Sequence, residues 1–217
     1  MLAAQKPADP GFLADGLYGS VKLIEAIGTS TGVNIKAAQE GVPVMTREQK
    51  IVALGSASGV ITMIAAVVGI YQIWPNNPSL TDAASRLAYT VQANAFAVIP
   101  LLLGIVVVSN ARFFSEAIDP TLQKEDLAMQ INGHVVNNTL QQFILFFVAT
   151  TALCVNASST QMRLIPAATI VFIIARMAFW IGYRIHPLYR AFGMGATAYL
   201  NVGLLAFALW KAAGFGA

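Results

Sequence analysis

The sequence has little charge, one cysteine and only two histidines. Of its 217 residues, 11% are charged and 57% are hydrophobic, whereas soluble domains carry about 25% charged residues. So little charge cannot cover a soluble surface, which excludes an ordinary soluble enzyme and a disordered chain. The single cysteine, Cys154, excludes a disulfide framework and a thiolate zinc cluster. His134 and His186 are too few and too far apart in sequence to form a metal site by themselves.

A concentration of positive charge is also missing. Thirteen Lys and Arg are offset by ten Asp and Glu, which leaves a formal net charge of +3. No run of like charges occurs along the chain, whereas nucleic-acid binders concentrate basic residues on one face. The sequence therefore predicts no nucleic-acid partner.

What the sequence has instead is long apolar segments. A transmembrane helix needs about 20 mainly apolar residues to cross about 30 Å of hydrocarbon. Five segments fit this description, over residues 51–74, 87–109, 135–155, 164–182 and 197–210, the last being the shortest. No segment alternates as a strand would, and helices satisfy their own backbone inside lipid. The sequence therefore predicts an all-α membrane protein with five transmembrane helices.

Three local patterns refine the first two predicted helices. Thr46 precedes Gln49 by the spacing of a capping box, just before the first apolar segment. Pro100 lies inside the second segment and predicts a kink. Gly55 and Gly59 form a GxxxG spacing, which allows another helix to approach closely and is interpreted as packing.

Lys and Arg alternate between richer and poorer connections. Residues 1–50 carry five of them, and the next connection carries only Arg86. The positive-inside rule then places the N-terminus in the cytosol. Residues 1–50 are predicted to be a cytosolic segment with an amphipathic helix, because apolar residues recur at near-helical spacing from Phe12 to Ile27. The expected location is the endoplasmic reticulum or another endomembrane in a eukaryote, and the inner membrane in a bacterium.

Polar residues at membrane depth share one face of the third predicted helix. His134, Asn138 and Gln141 fall at positions i, i+4 and i+7, and Leu145 is expected to continue this face as apolar core. Lipid offers these polar groups no partners, so the face must meet protein or water. Hydrogen bonding between helices and ligand binding both satisfy this requirement.

Arg176 lies inside the fourth predicted helix, about two turns or roughly 10 Å from its end. A buried arginine there needs a partner, and no Asp or Glu lies at membrane depth. Helix carbonyls or a bound anion are the remaining candidates. Arg112 lies at the end of the second helix, where an arginine considered alone is a snorkelling anchor.

The polar groups cluster on the predicted cytosolic side. Cations together with amide and phenol donors suit a small anionic, peptide-like ligand. Without an obvious general base, the chemistry expected there is stabilisation of a thiolate by a positive field, with no metal step. The candidate residues are Arg112, His134, Asn138, Gln141, Arg176, Tyr183 and Arg190.

Three stretches of residues 87–210 resemble the MAPEG superfamily, the membrane-associated proteins in eicosanoid and glutathione metabolism. The end of the second helix resembles the family's Ser-x-x-Arg and aligns Arg112 with its arginine. The run from Asn138 to Gln141 is similar to the Asn-Thr-Leu-Glu of microsomal glutathione transferases at three of four positions. Arg176, Tyr183 and Arg190 fit the spacing of the fourth-helix motif.

The resemblance implies a four-helix domain over residues 87–214 that forms homotrimers and binds glutathione, as cosubstrate, between subunits near the cytosolic face. It implies that Arg112 and Arg190 stabilise the glutathione thiolate. It also implies that His134, Asn138, Gln141, Arg176 and Tyr183 bind the peptide. The segment over residues 51–74 is additional to the family's four helices, as in the mattrin-like branch.

Three residues depart from the family motifs. His134 replaces an arginine, Gln141 replaces a glutamate, and Phe179 replaces a tyrosine that donates a hydrogen bond. A hydrogen bond to a charged group contributes about 1.5–3 kcal/mol. Losing two of them weakens binding by on the order of a hundredfold or more.

Three functions are open on this basis. The first is a glutathione-dependent transferase or peroxidase that acts on lipophilic electrophiles entering from the lipid bilayer. The second is a non-catalytic MAPEG-like protein that acts through protein partners in trafficking or signalling, which the motif replacements favour. The third is a transporter or channel, which the lack of intramembrane acids and of paired broken helices opposes.

Overall fold

The computed structural model describes residues 45–215, and this part of the chain is helical with no strand. The chain divides into two units between residues 50 and 51. The predicted amphipathic helix between Phe12 and Ile27 lies outside the described residues. The six α-helices of the described part are α1 (Arg47–Ile73), α2 (Ala83–Ala97), α3 (Ile99–Phe113), α4 (Leu127–Asn156), α5 (Leu164–Ile185) and α6 (Arg190–Ala212).

Five helical segments are long and apolar enough to cross a membrane, with α2 and α3 together forming one of them. The predicted all-α architecture with five spans is therefore confirmed. α4 and α6 begin at Leu127 and Arg190, well before the predicted apolar segments at 135 and 197. A helix extends beyond its apolar segment because its backbone hydrogen bonds do not require apolar side chains. At the start of α4, Asp126 caps the helix by accepting a hydrogen bond from the Met129 amide at 2.7 Å.

The predicted kink and the predicted capping box are both present. α2 ends at Ala97 and α3 begins at Ile99, because Pro100 has no N–H to donate to the carbonyl of Phe96. At the start of α1, the Thr46 amide donates to Gln49 Oε1 at 2.9 Å, and the Gln49 amide donates to Thr46 Oγ1 at 3.2 Å.

The two ends of the bundle follow from the antiparallel course of the helices. We call the end where α4 and α6 begin and α5 ends the first end, and the opposite end the second end. At the second end, Arg86 near the start of α2 joins α2 to the C-terminus of α4. It donates hydrogen bonds to the carbonyls of Cys154 at 2.9 Å and Val155 at 3.1 Å. These carbonyls at the C-terminus of α4 have no partner within their own helix.

Polar pairs join helices inside the apolar core. Asn201 on α6 donates to Gln142 Oε1 on α4 at 2.9 Å, and Asn94 on α2 donates to Thr150 Oγ1 on α4 at 3.2 Å. Among them lie apolar contacts such as Phe146 against Phe172, whose ring centres are 4.5 Å apart. Because lipid cannot solvate polar groups, these bonds favour one register of the helices.

The GxxxG spacing of α1 packs against α6 of the same chain. A Cβ atom added at Gly59 would overlap the carbonyl of Phe192, and one added at Gly55 would lie 3.2 Å from the Cβ of Ala191. The interpretation of this spacing as packing is therefore confirmed.

We expect Gly59→Ala to lower the free energy of unfolding by about 1–3 kcal/mol, because the methyl group forces the two helix backbones apart. Gly69 lies in the same helix, and a methyl group added there would meet no atom of the described residues within 4 Å. Gly69→Ala should therefore be neutral or slightly stabilising through helix propensity. The midpoint of thermal unfolding in detergent separates the two variants, and equal midpoints would contradict the packing.

Candidate functional site

A cavity of about 440 Å³ opens at the first end of the bundle, between α4, α5 and α6. Its volume falls within the range of small-molecule sites, about 300–1,000 Å³. We call it the polar cavity, and its lining residues are His134, Asn137, Asn138, Gln141, Phe179, Tyr183, Arg190 and Met194. Five of the seven predicted site residues therefore line one cavity, and Arg112 and Arg176 do not.

The connection between α5 and α6 positions the cation of the cavity. His186 is the C-cap residue of α5, and its Nδ1 accepts a hydrogen bond from the Leu188 amide at 3.2 Å, while the Tyr189 amide donates to the His186 carbonyl at 2.9 Å. This tight turn begins α6 at Arg190. The Arg190 guanidinium then lies 4.8 Å from the centre of the Tyr183 ring, in the range of a cation–π contact.

Arg176 lies next to the polar cavity and is almost completely buried, with 1% of its surface exposed. Its Nη2 donates to Asn138 Oδ1 at 3.0 Å and to Thr139 Oγ1 at 3.1 Å, and its Nη1 donates to Thr197 Oγ1 at 3.0 Å. The sequence left helix carbonyls or a bound anion as the candidate partners. The structure supplies amide and hydroxyl oxygens from α4 and α6, so Arg176 joins three helices.

The bond from Arg176 fixes the orientation of Asn138. A guanidinium only donates, so the amide oxygen of Asn138 must face Arg176. The Nδ2 group of Asn138 has no partner within the described residues. Because Asn138 lines the polar cavity, this group is a donor that a ligand can use.

Arg112 lies away from the polar cavity of its own chain. It is in the last turn of α3, and its Nε donates to Glu125 Oε1 at 2.8 Å. Glu125 belongs to the connection before α4, where no partner was predicted. Within one chain, the structure does not bring Arg112 together with the other predicted site residues.

The polar cavity is lined by no Asp or Glu of residues 45–215. Arg190 is the one arginine or lysine of this range in its lining, and it is exposed, as are His134 and Gln141. The side chains of Asn137, Asn138, Gln141 and Tyr183 add neutral hydrogen-bonding groups. This composition favours an anionic, hydrogen-bonding ligand over a cation.

The prediction that Leu145 of α4 belongs to the apolar core is wrong, because Leu145 is 47% exposed. The predicted polar face borders an open cavity, and Leu145, further along the same face, points outward. The buried face of α4 carries other residues, among them Asn132, Thr139, Gln142 and Phe146.

Three residues of the cavity lining were not predicted as site residues: Phe179, which the sequence singled out only as a motif replacement, and Asn137 and Met194, which it did not single out at all. Asn137 directly precedes the predicted Asn138, and Met194 lies one turn of α6 beyond the predicted Arg190. These positions beside predicted residues were the only signal that could have identified them.

Comparison with known proteins finds relatives that are named as transmembrane proteins. The chain is 28% identical over 160 residues to transmembrane protein 79 of Mus musculus, covering 70% of this chain and 40% of that protein. It is 30% identical over 144 residues to transmembrane protein 79 of Bos taurus, covering 66% and 35%. The chain thus spans less than half the length of these relatives. No protein-family model and no solved structure matches it.

The five helices and the relatives both indicate that the protein lies in a membrane. Each span is apolar, and large apolar side chains such as Ile61, Phe96 and Val202 are more than half exposed. Such surfaces are stable only against lipid or another apolar surface. The chain is a multi-pass integral membrane protein in contact with the lipid bilayer.

Proposed function

We propose that this protein is a MAPEG-like membrane enzyme that binds glutathione in the polar cavity and transfers it to lipophilic electrophiles or reduces them as a peroxidase. The observation that carries the proposal is the convergence of Asn138, Gln141, Tyr183 and Arg190 on one cavity, with no carboxylate from the described residues in its lining. Glutathione is a small anionic peptide with amide groups, which matches this composition.

The five predicted residues that line the polar cavity each have a role in the proposal. The Arg190 guanidinium stabilises the glutathione thiolate. Tyr183, whose ring contacts Arg190, donates a hydrogen bond to glutathione. Asn138 donates through Nδ2, Gln141 donates through its amide, and His134 contributes positive charge when protonated. Arg176 acts through Asn138, whose orientation it fixes.

The proposed transfer reaction needs only the two substrates. The thiolate sulfur forms a bond to the electrophilic carbon, and the leaving group departs with the electron pair of its own bond. The thiol proton is released to water before the attack. The positive field lowers the energy of the thiolate in a cavity that borders lipid.

A homotrimer completes this proposal. His134, Gln141 and Arg190 are exposed in the single chain, which suits a ligand held between subunits. Arg112 lies outside its own chain's cavity, so a role for it in thiolate stabilisation requires the cavity of a neighbouring subunit. The chain then belongs to the mattrin-like branch, with α1 as the additional helix. On this proposal the N-terminus faces the cytosol.

The second candidate is a non-catalytic MAPEG-like protein that acts through protein partners. One observation favours it: Phe179 lines the polar cavity where the family has a tyrosine. Its ring centre lies 4.1 Å from the Arg176 guanidinium, and the ring donates nothing to a ligand.

Turnover distinguishes the two candidates. Purified full-length protein in lipid vesicles, given glutathione and a lipophilic chloronitrobenzene, should form the conjugate faster than vesicles alone. Tyr183→Phe should lower this rate by about tenfold through loss of one charge-assisted hydrogen bond. Tyr199→Phe on the exposed surface of α6 is the matched control and should keep the rate. Folded protein that binds glutathione but forms no conjugate would favour the second candidate.

A further inference from the structure

A second cavity, of about 580 Å³, lies at the second end of the bundle. It is formed where α1 ends, where a 3₁₀ turn (Gln161–Arg163) leads into α5, and where α6 approaches its end. We call it the distal cavity, and its lining residues are Val67, Val68, Tyr71, Gln72, Gln161, Arg163, Leu164 and Phe207. Of the described residues, none lines both the distal cavity and the polar cavity.

Arg163 gives the distal cavity a positive charge without a counter-ion among the described residues. Its Nε donates to the Thr160 carbonyl at 3.3 Å, and its guanidinium lies 4.6 Å from the centre of the Tyr71 ring. The two ion pairs in the described part of the chain are Arg112–Glu125 and Lys124–Glu116, so neither involves Arg163. Neither of its Nη groups donates a hydrogen bond to a residue in the range 45–215.

Gln161 adds a second donor to the same cavity. Its Oε1 accepts a hydrogen bond from the Ser158 backbone amide at 2.9 Å, so the side-chain oxygen is already bonded within the chain. The Nε2 group of Gln161 has no partner in the described part of the chain. Arg163 and Gln161 thus present hydrogen-bond donors, whereas no Asp or Glu from residues 45–215 lines this cavity.

The polarity of the distal cavity changes along the helix axis. On α1, Tyr71 and Gln72 lie one turn beyond Val67 and Val68, toward the end of the helix. The polar lining is therefore at the end of the bundle, and the apolar lining is nearer its middle. In a bilayer this order corresponds to headgroup depth followed by hydrocarbon depth.

We propose that the distal cavity binds a membrane phospholipid, with the phosphate on Arg163 and Gln161 and an acyl chain along Val67, Val68 and Phe207. A guanidinium forms paired bonds to phosphate oxygens, and a phospholipid presents its phosphate at headgroup depth, where Arg163 lies. The amphiphilic order of the lining selects a lipid over a free anion. The site is independent of glutathione binding at the first end.

Native mass spectrometry of the full-length protein in detergent tests this site. Titration with phosphatidylglycerol should add one lipid per chain at low concentration, and diacylglycerol with the same acyl chains should bind at least about tenfold more weakly. Arg163→Gln should weaken the phosphatidylglycerol adduct by about the same factor. The matched control, Arg184→Gln, alters an exposed arginine at the first end and should bind as the wild type does.

Two further arms keep the test decisive. Tyr71→Leu removes the ring beneath the guanidinium and should also weaken the adduct, and both variants should keep the wild-type melting temperature without lipid. Equal binding of phosphatidylglycerol by Arg163→Gln and wild type, or equal binding of diacylglycerol, would overturn the proposal. Inorganic phosphate that displaces the lipid at comparable concentration would assign the site to free phosphate instead and would overturn it too.

Discussion

Replacing Arg176 by alanine is expected to lower the free energy of unfolding by about 3–5 kcal/mol, the range for truncating a large buried side chain. Arg176 heads the largest fully buried side chains of the described residues. Its removal leaves a void and deprives Asn138, Thr139 and Thr197 of their common donor. Hydrogen bonds between transmembrane helices contribute roughly 0.6–2 kcal/mol each, so the three bonds form a substantial part of this effect.

Thermal unfolding in detergent measures this loss, and Arg184→Ala is its control. Arg184 is an exposed arginine on the same helix, so its replacement should leave the midpoint unchanged. A double-mutant cycle between Arg176→Ala and Asn138→Ala should show a coupling of about 0.5–2 kcal/mol. An Arg176→Ala variant as stable as the wild type would show that the buried guanidinium does not hold the helices together.

Replacing Arg190 by alanine is expected to weaken glutathione binding by about ten- to a hundredfold, because one charge-assisted hydrogen bond is lost. Arg190 is the cation of the polar cavity and is exposed, so its removal changes the ligand contact more than the packing. Isothermal titration calorimetry of the purified protein gives the dissociation constant directly.

Two variants separate charge from geometry at this position. Arg190→Lys keeps the charge but loses the planar fork, so its affinity should fall between those of the wild type and Arg190→Ala. Arg184→Ala truncates a residue that is next to Tyr183 but outside the cavity lining, and it should bind with wild-type affinity. If Arg190→Ala bound glutathione as tightly as Arg184→Ala does, the site assignment would fail.

The membrane spans were predictable because about 20 apolar residues have one stable solution in a bilayer. The kink at Pro100 and the capping box at Thr46 were equally local. The starts of α4 and α6 were not predictable from hydropathy, because Asn132 and His134 in α4 and Arg190 in α6 interrupt the apolar sequence, although the helical backbone continues through them. The clustering of Asn138, Tyr183 and Arg190 followed from their placement near the same end of neighbouring helices.

The contacts of the candidate site were harder to predict. Three neutral oxygens hold Arg176, and each comes from a helix face that a one-dimensional pattern does not orient. Helical spacing placed Gln141 on the polar face, but it did not indicate that the neighbouring Gln142 is the residue buried against Asn201. The ion pair of Arg112 with Glu125 spans a connection whose path depends on tertiary structure.

Glutathione binding in the polar cavity is the central claim, and a thermal-shift titration of the wild-type protein tests it most directly. A ligand that binds only the folded state raises the melting temperature with concentration. The proposal predicts a saturable rise at low-millimolar glutathione or below, with a smaller rise for oxidised glutathione. No rise up to about ten millimolar glutathione, with the protein still folded, would contradict the proposed function.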